Sequence, residues 1–299
     1  MSPWFPVLFI APVLFAFVVL LDKKILSGAH EGAEASPQTA AGGIFNLFGA
    51  VIAGCIVAAG NQTVALNQAL PLIINGGTYI AAMWLYMKAM KGEEAARVSP
   101  IFQLIPAIGL LGDILILHKA PVWYVIIGIA MIVSGSLILN FRKGKIRWDI
   151  LLLMSGASLL LAFNDVTFAR FGREMETLPA IFSDLSGKAL WGLLFLIGRR
   201  NRRGAAMAIR LHFRLLLLIE VLNLGAEAIF DVGKLFFPVS TVQAVDCTQD
   251  IFMLLGVIVF SKYLPGFLRE DIRHTTLWQK IIGILVMVFG GILIAIGSG

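Results

Sequence analysis

The chain has 299 residues, of which 59% are hydrophobic and only 14% charged. A soluble domain carries roughly a quarter charged residues, so this composition excludes an ordinary soluble enzyme and points to a bilayer. The formal net charge of +6 does not indicate a nucleic-acid partner, because the basic residues fall in short segments between apolar stretches, the usual membrane-orientation signal.

Several apolar stretches run for about 20 residues, enough to cross about 30 Å of hydrocarbon as a helix. Ten spans are expected, over 4–27, 40–59, 70–90, 96–117, 121–140, 149–169, 179–198, 214–236, 239–261 and 277–297. The fold class is therefore an all-α integral membrane protein with no room for a sizeable soluble domain. The first stretch, Pro3 to Leu21, is too long for a signal-peptide core and has no basic segment before it, so it is expected to remain as a helix. Connections are short and marked by charge, Pro or Gly. The longest is the Arg-rich one from Arg199 to Arg214, and the small-residue segment 27–43 is expected to be a flexible loop. Cys55 and Cys247 both lie in apolar segments, where burial in the packing is expected rather than a disulfide or a metal site.

The connections after spans 1, 3, 5, 7 and 9, together with the span ends that flank them, hold 19 of the 24 Lys and Arg. This asymmetry places those connections in the cytoplasm and both termini outside.

Two segments 155 residues apart read almost alike. Trp123-Tyr-Val-Ile-Ile-Gly128-Ile-Ala-Met-Ile-Val-Ser-Gly135 matches Trp278-Gln-Lys-Ile-Ile-Gly283-Ile-Leu-Val-Met-Val-Phe-Gly290 in its Trp, its Ile-Ile-Gly-Ile and its second Gly. These are the fifth spans of two halves, 1–145 and 146–299. An odd number of spans per half inverts the second half in the membrane, an arrangement recurrent in transporters that bind substrate between the halves.

With that repeat the chain resembles the drug/metabolite transporter superfamily, in particular its EamA-type ten-span members. Further stretches carry the resemblance: Leu21-Asp22-Lys23-Lys24 closing span 1, and Tyr86-Met-Lys-Ala89-Met-Lys-Gly-Glu-Glu-Ala-Ala-Arg-Val-Ser99-Pro100-Ile leading into a span with Pro106. Val239-Ser240 echoes Val98-Ser99 in the second half. The chain has His118-Lys119 where the family often has Gly-Glu. The resemblance implies two inverted five-helix repeats, with spans 1, 3, 4, 6, 8 and 9 around a central cavity and spans 5 and 10 at the periphery. It also implies a bacterial-type cell membrane and cytoplasmic termini, the opposite of the loop-charge orientation.

Ionisable groups inside spans cost on the order of 3 kcal/mol each on insertion scales, so they face a cavity or a partner. The first half offers Asp113; the second offers most of the rest. In span 8, Glu220, Asn223, Glu227, Asp231 and Lys234 follow 3- and 4-residue steps along one helical face. A face about 20 Å long at 1.5 Å per residue cannot meet lipid throughout. It either lines water or forms a polar seam between helices. In span 9, Asp246 and Asp250 sit one turn apart with Gln243 on the same side. Two carboxylates this close in a low-dielectric site are not both expected to be ionised without a cation. Asp184 and Lys188 in span 7 have the acid-first i,i+4 spacing of an ion pair, and Asn164-Asp165 lies near the far end of span 6. Asn75, Thr78, Tyr79 and Gln103 are candidate neutral hydrogen bonders. Gly128, Gly135, Gly283, Gly290 and Gly291 are assigned to close packing.

The function expected is a secondary transporter of a small polar or cationic metabolite, coupled to protons through Glu227, Asp246 or Asp250. Its expected partners are the solute, protons and the lipid bilayer. The alternatives are an intramembrane enzyme acting on a lipid-linked substrate, and a channel or accessory subunit. The chain lacks His-Glu-x-x-His, Gly-x-Ser-x-Gly and a P-loop, so no catalytic residue, metal or cofactor is assigned.

Overall fold

The computed structural model describes residues 6–27, 34–106, 108, 123–142, 145–237, 239–246, 248–263 and 274–298. A 3-10 turn over Pro6–Phe9 leads into α1, Ile10–Leu26; α2 is Ala35–Ala59 and α3 is Leu66–Gly92. The fourth span opens with α4, Ala95–Val98, and a 3-10 segment, Ser99–Gln103. Helix α5 is Trp123–Asn140, joined to the second half through a two-residue β ladder in which Phe141–Arg142 (β1) pairs with Lys145–Ile146 (β2). There follow α6, Trp148–Gly172; α7, Thr177–Leu194; and α8, Arg199–Phe236. The chain ends with α9, Val239–Asp246; α10, Gln249–Tyr263; and α11, His274–Ser298.

Among the described residues, five helical stretches are long and apolar enough to cross a membrane: 6–26, 35–59, 66–92, 148–172 and 177–197. Shorter apolar helices lie in α5, α10 and α11. Their outer faces are apolar, as lipid requires. Phe48, Val51, Ile52 and Ile56 stand exposed along α2, and Leu152, Leu159 and Phe163 along α6.

Five expectations change. The segment 27–43 is not a loop throughout, because α2 begins at Ala35. Its small residues serve helix contact: a Cβ on Gly43 would stand 2.6 Å from the Gly192 carbonyl carbon in α7. The Arg-rich connection is helical, forming the first part of α8 up to a kink at His212 (φ −126°, ψ 23°). Ala, Arg, Met and Leu favour helix there, with no Pro to stop it. Span 9 is interrupted: α9 ends at Asp246 and α10 starts at Gln249. The Thr248 hydroxyl donates to the Val245 carbonyl at 2.8 Å, a local bond that competes with the helical ladder. Cys55 is exposed on the outer face of α2 rather than buried; Cys247 lies outside the described residues. The fourth span starts irregularly, where Pro100 and Pro106 withhold backbone donors. Residues 109–122, and with them Asp113, His118 and Lys119, lie outside the described residues.

Some connection charges are also buried. Lys23 donates to the Met90 carbonyl at 2.8 Å and to the Glu93 carbonyl at 2.5 Å. The Glu93 carboxylate meets Arg147 at 3.2 Å, and Glu94 meets Arg97 at 3.3 Å and Lys280 at 2.8 Å. Arg147, just outside α6, also hydrogen-bonds Asp149, which pushes its guanidinium further toward the charged form. Lys23, Arg97 and Lys280 therefore do not act as loop charges, although the remaining cations still favour the same end.

Contacts between the halves are reciprocal. A Cβ on Gly135 would lie 2.7 Å from the Gly283 carbonyl oxygen, and one on Gly290 would lie 2.6 Å from that of Gly128. An early residue of α5 thus meets a late residue of α11, and the reverse, so the two helices run antiparallel. Two equivalent elements facing each other across a two-fold axis make such contacts. Trp123 and Trp278, the shared Trp of the repeat, both point outward, 68% and 52% exposed. A second correspondence involves helix ends. Lys23, from α1, holds carbonyls 90 and 93 at the end of α3; Arg173, at the end of α6, donates to the carbonyls of Lys234 and Phe237 at the end of α8. Cations are favoured at helix C-termini by the dipole and by the orphan carbonyls. Because each span reverses direction, the two caps sit at opposite ends of the bundle.

Candidate functional site

A cavity of about 160 Å³, counted as space open to the centre of a water-sized sphere, lies between α1, α2, α3, the fourth span, α6, α7, α8, α9 and the start of α10. At roughly 10–15 Å³ per water on this measure it holds on the order of ten waters. Among the described residues, no side chain of α5 or α11 lines it. Span 2, which the resemblance does not place at the cavity, contributes Gln38, Thr39, Gly42 and Asn46.

One wall comes from α8. Glu220, Asn223, Glu227, Asp231 and Lys234 all line the cavity, because their 3- and 4-residue steps keep them on one face. Near the middle, Glu227 sits in a cluster drawn from three helices. Lys188 of α7 approaches its Oε2 at 2.8 Å and Asp184 Oδ2 at 2.7 Å. Asn223 Nδ2 donates to Glu227 Oε1 at 2.7 Å, and the Tyr79 hydroxyl of α3 donates to the same oxygen. Lys188 also stands 4.2 Å above the Tyr79 ring, a favourable place for a cation. Asp184 lies behind Lys188 and does not line the cavity.

A second cluster is built on the same plan. Lys234 approaches Asp165 Oδ1 at 2.6 Å and Asp231 Oδ1 at 3.0 Å, and Gln243 of α9 donates to Asp165 Oδ2. Each lysine thus serves two carboxylates, and all six charged side chains are buried. An ion buried alone is costly, whereas a paired and hydrogen-bonded one is tolerated. With two acids per lysine, one acid of each cluster can take up a proton and leave the lysine paired.

The break in span 9 separates Asp246 from Asp250. Asp246 closes α9 and lines the cavity, and its Oδ1 finds no hydrogen-bond partner. Asp250, fully buried in α10, faces away from the cavity. It accepts from the Ser99 hydroxyl at 3.1 Å and from Gln103 Nε2 at 2.9 Å. The irregular start of the fourth span and the break in the ninth therefore meet at one carboxylate. The break gives Asp246 and Asp250 different surroundings, the cavity for one and the fourth span for the other, while the two carboxylates still feel each other's charge.

Neutral groups fix the frame. Asn75 and Asn164 each donate to the other's carbonyl, at 2.9 and 3.1 Å, tying α3 to α6. Sequence does not mark several cavity residues as candidates, among them Asp22, Asn46 and Gln38. Asp22, at 7% exposure, accepts from the Tyr86 hydroxyl at 3.3 Å. Its signal was the apolar Ile25-Leu26 after the lysines, which carries α1 past Asp22. Asn46 and Gln38 stood in or near a segment expected to be a loop, and neutral side chains give little warning. Among the described residues, no group of three or more His, Cys, Asp or Glu is placed to share a metal ion.

Residues 2–141 match the model of the EamA-like transporter family. A protein of known crystal structure superposes with a TM-score of 0.61 over 98% of this chain and 96% of its own, at 16% identity; at that identity the likeness concerns the fold. No curated protein is significantly similar to the chain.

Proposed function

We propose, from the premise that this chain belongs to the EamA-like transporter family, that it moves a small polar or cationic metabolite across the membrane by alternating access, coupled to protons. The observation that carries the reading is Glu227. It lies in a central cavity and shares Lys188 with Asp184. Protonation of Glu227 leaves Lys188 paired with Asp184 and frees Tyr79 and Asn223 to turn toward a solute. Departure of the proton restores the Lys188–Glu227 contact. One residue thereby links cavity occupancy to proton occupancy, which is what coupled transport requires.

Residues 1–145 and 146–299 act in this reading as two inverted repeats that rock against each other, and the reciprocal glycine contacts support it. The interrupted helices that meet at Asp250 supply the join between moving parts, as discontinuous helices do in transporters. Asp246, Asp231, Asp165, Gln243, Glu220 and Asn223 complete the solute- and proton-binding wall. In this reading the end around 199–214 faces the cytoplasm of a bacterial-type cell and the termini lie outside, and the surplus of Lys and Arg there supports it.

The test is transport by the full chain in proteoliposomes. Glu227→Gln and Asp246→Asn are each expected to abolish solute-dependent proton movement while the melting profile stays cooperative. Wild-type rates in both variants would refute the reading.

A further inference from the structure

The cavity is not uniform in charge. Lys188 and Lys234 each pair with two carboxylates. At the part walled by α1, α2 and the start of the α8 stripe there are acids without a cation. Asp22 is buried and accepts one long hydrogen bond, from Tyr86. Glu220, partly exposed, rests its carboxylate against Gly42, whose added Cβ would lie 3.3 Å from Oε1. Both acids line the same cavity, beside the apolar seam where Val18, Phe45 and Ile219 bring α1, α2 and α8 together. Among the described residues, neither forms an ion pair.

An independent observation points the same way. Asn46 lines this part of the cavity and is 3% exposed. Its Nδ2 donates to the Gly42 carbonyl at 3.0 Å, one turn back in α2, which turns its Oδ1 away. That Oδ1 is buried and has no hydrogen-bond partner. A buried acceptor left unsatisfied costs about 1–3 kcal/mol, so a group that donates to it is strongly favoured. Two carboxylates and an amide oxygen are all acceptors. What they lack is a positively charged donor.

The neighbouring wall is apolar. Met83, Met87 and Phe102 line the same cavity, and the Phe102 ring packs on Tyr86 at 5.3 Å between centroids. Thioether and aromatic faces suit an apolar body carrying a cationic head.

We propose that Asp22, Glu220 and Asn46 form an ammonium subsite, which takes the head of a protonated primary or secondary amine whose apolar body lies against Met83, Met87 and Phe102. The N–H donors satisfy Asn46 Oδ1 and the carboxylates together, and the charge offsets the excess acid. A quaternary ammonium fits less well, because it has no N–H to give. About ten waters' worth of space suits an amine of about ten non-hydrogen atoms. That the amine is then carried across rests on the transporter reading; that it binds does not.

The experiment is equilibrium binding to the full chain in lipid nanodiscs, by calorimetry, with phenethylammonium as the probe. Its N,N,N-trimethyl derivative removes the donors, and 2-phenylethanol removes the charge. Phenethylammonium is expected to bind about 10- to 100-fold more tightly than either, the usual value of a hydrogen bond to a charged group. Asp22→Asn and Glu220→Gln are each expected to weaken it about tenfold or more, and Asn46→Ala by several-fold. Equal binding of amine and alcohol, unaltered affinity in both acid variants, or no binding of phenethylammonium to the wild type would overturn the subsite. The ligand series on the wild type decides the matter even where a variant does not fold. The transport reading fails separately: binding without any uptake by proteoliposomes refutes the carrier and leaves the subsite. Coupled uptake of another solute, with no amine binding, does the reverse.

Discussion

Replacing Lys188 by methionine removes the cation that faces both Asp184 and Glu227, at 2.7 and 2.8 Å. Unit charges about 4 Å apart attract by about 4 kcal/mol at an effective dielectric of about 20. The variant loses two such contacts, against which it recovers the cost of burying the lysine. It also leaves two acids in a site where the lysine side chain is only 3% exposed, and they must take up protons. Breaking a buried pair by removing one partner costs about 3–5 kcal/mol, so Lys188→Met is expected to lose that much stability. At about 2–4 °C per kcal/mol for a chain of this order of size, the melting temperature falls by roughly 10 °C. The assay is thermal unfolding of purified protein in nanodiscs, followed by intrinsic fluorescence. A second variant, Lys188→Met with Asp184→Asn, removes one orphaned acid and is expected to regain about half of the loss. The reasoning is refuted if Lys188→Met melts within about 2 °C of wild type, because the cluster would then not be a buried, mutually dependent unit.

Other outcomes follow from the helix contacts. Gly290→Ala and Gly135→Ala are each expected to cost about 1–3 kcal/mol, because each new Cβ meets backbone across α5 and α11. Their double variant should cost less than the sum, because the first methyl already parts the helices; strictly additive melting shifts contradict the shared contact. Asp250→Ala strips Ser99 and Gln103 of their acceptor, with an expected loss of about 1–3 kcal/mol in thermal unfolding. An unchanged melting temperature would show that the join does not depend on Asp250. Lys23→Met and Arg173→Met remove equivalent caps from α3 and α8 and should lower stability by similar amounts, about 1–2 kcal/mol each, measured by thermal unfolding.

Much of this was legible in the sequence, for definite reasons. Apolar length reports spans directly, and the Trp–Gly–Gly register of 123–135 and 278–290 marks helices that the structure packs face to face. The α8 stripe was readable because helical spacing fixes a face without knowledge of the neighbours. What spacing cannot supply is continuity. Asp246 and Asp250 satisfy the rule for one helical face, yet Thr248 bonds back to Val245 and only Asp246 lines the cavity. Segment context misleads in the same way. Lys23 stands where a loop charge is expected, but carbonyls from α3, about 70 residues away, hold it inside. Asn46 and Gln38 give no signal until α7 and α8 close over α2. Charge marks the Arg-rich stretch as a connection, although its helix-forming residues and lack of Pro favour the helix that forms there.

The central claim is proton-coupled transport, and proton movement measures it directly. Proteoliposomes containing the full chain and an enclosed pH-sensitive dye would be exposed in turn to amino acids, polyamines and aromatic amines. The account predicts that at least one solute moves protons at a rate that saturates with concentration, and that Glu227→Gln abolishes this movement. A flux that rises linearly without saturation, or no flux above that of empty liposomes for any solute, would contradict it.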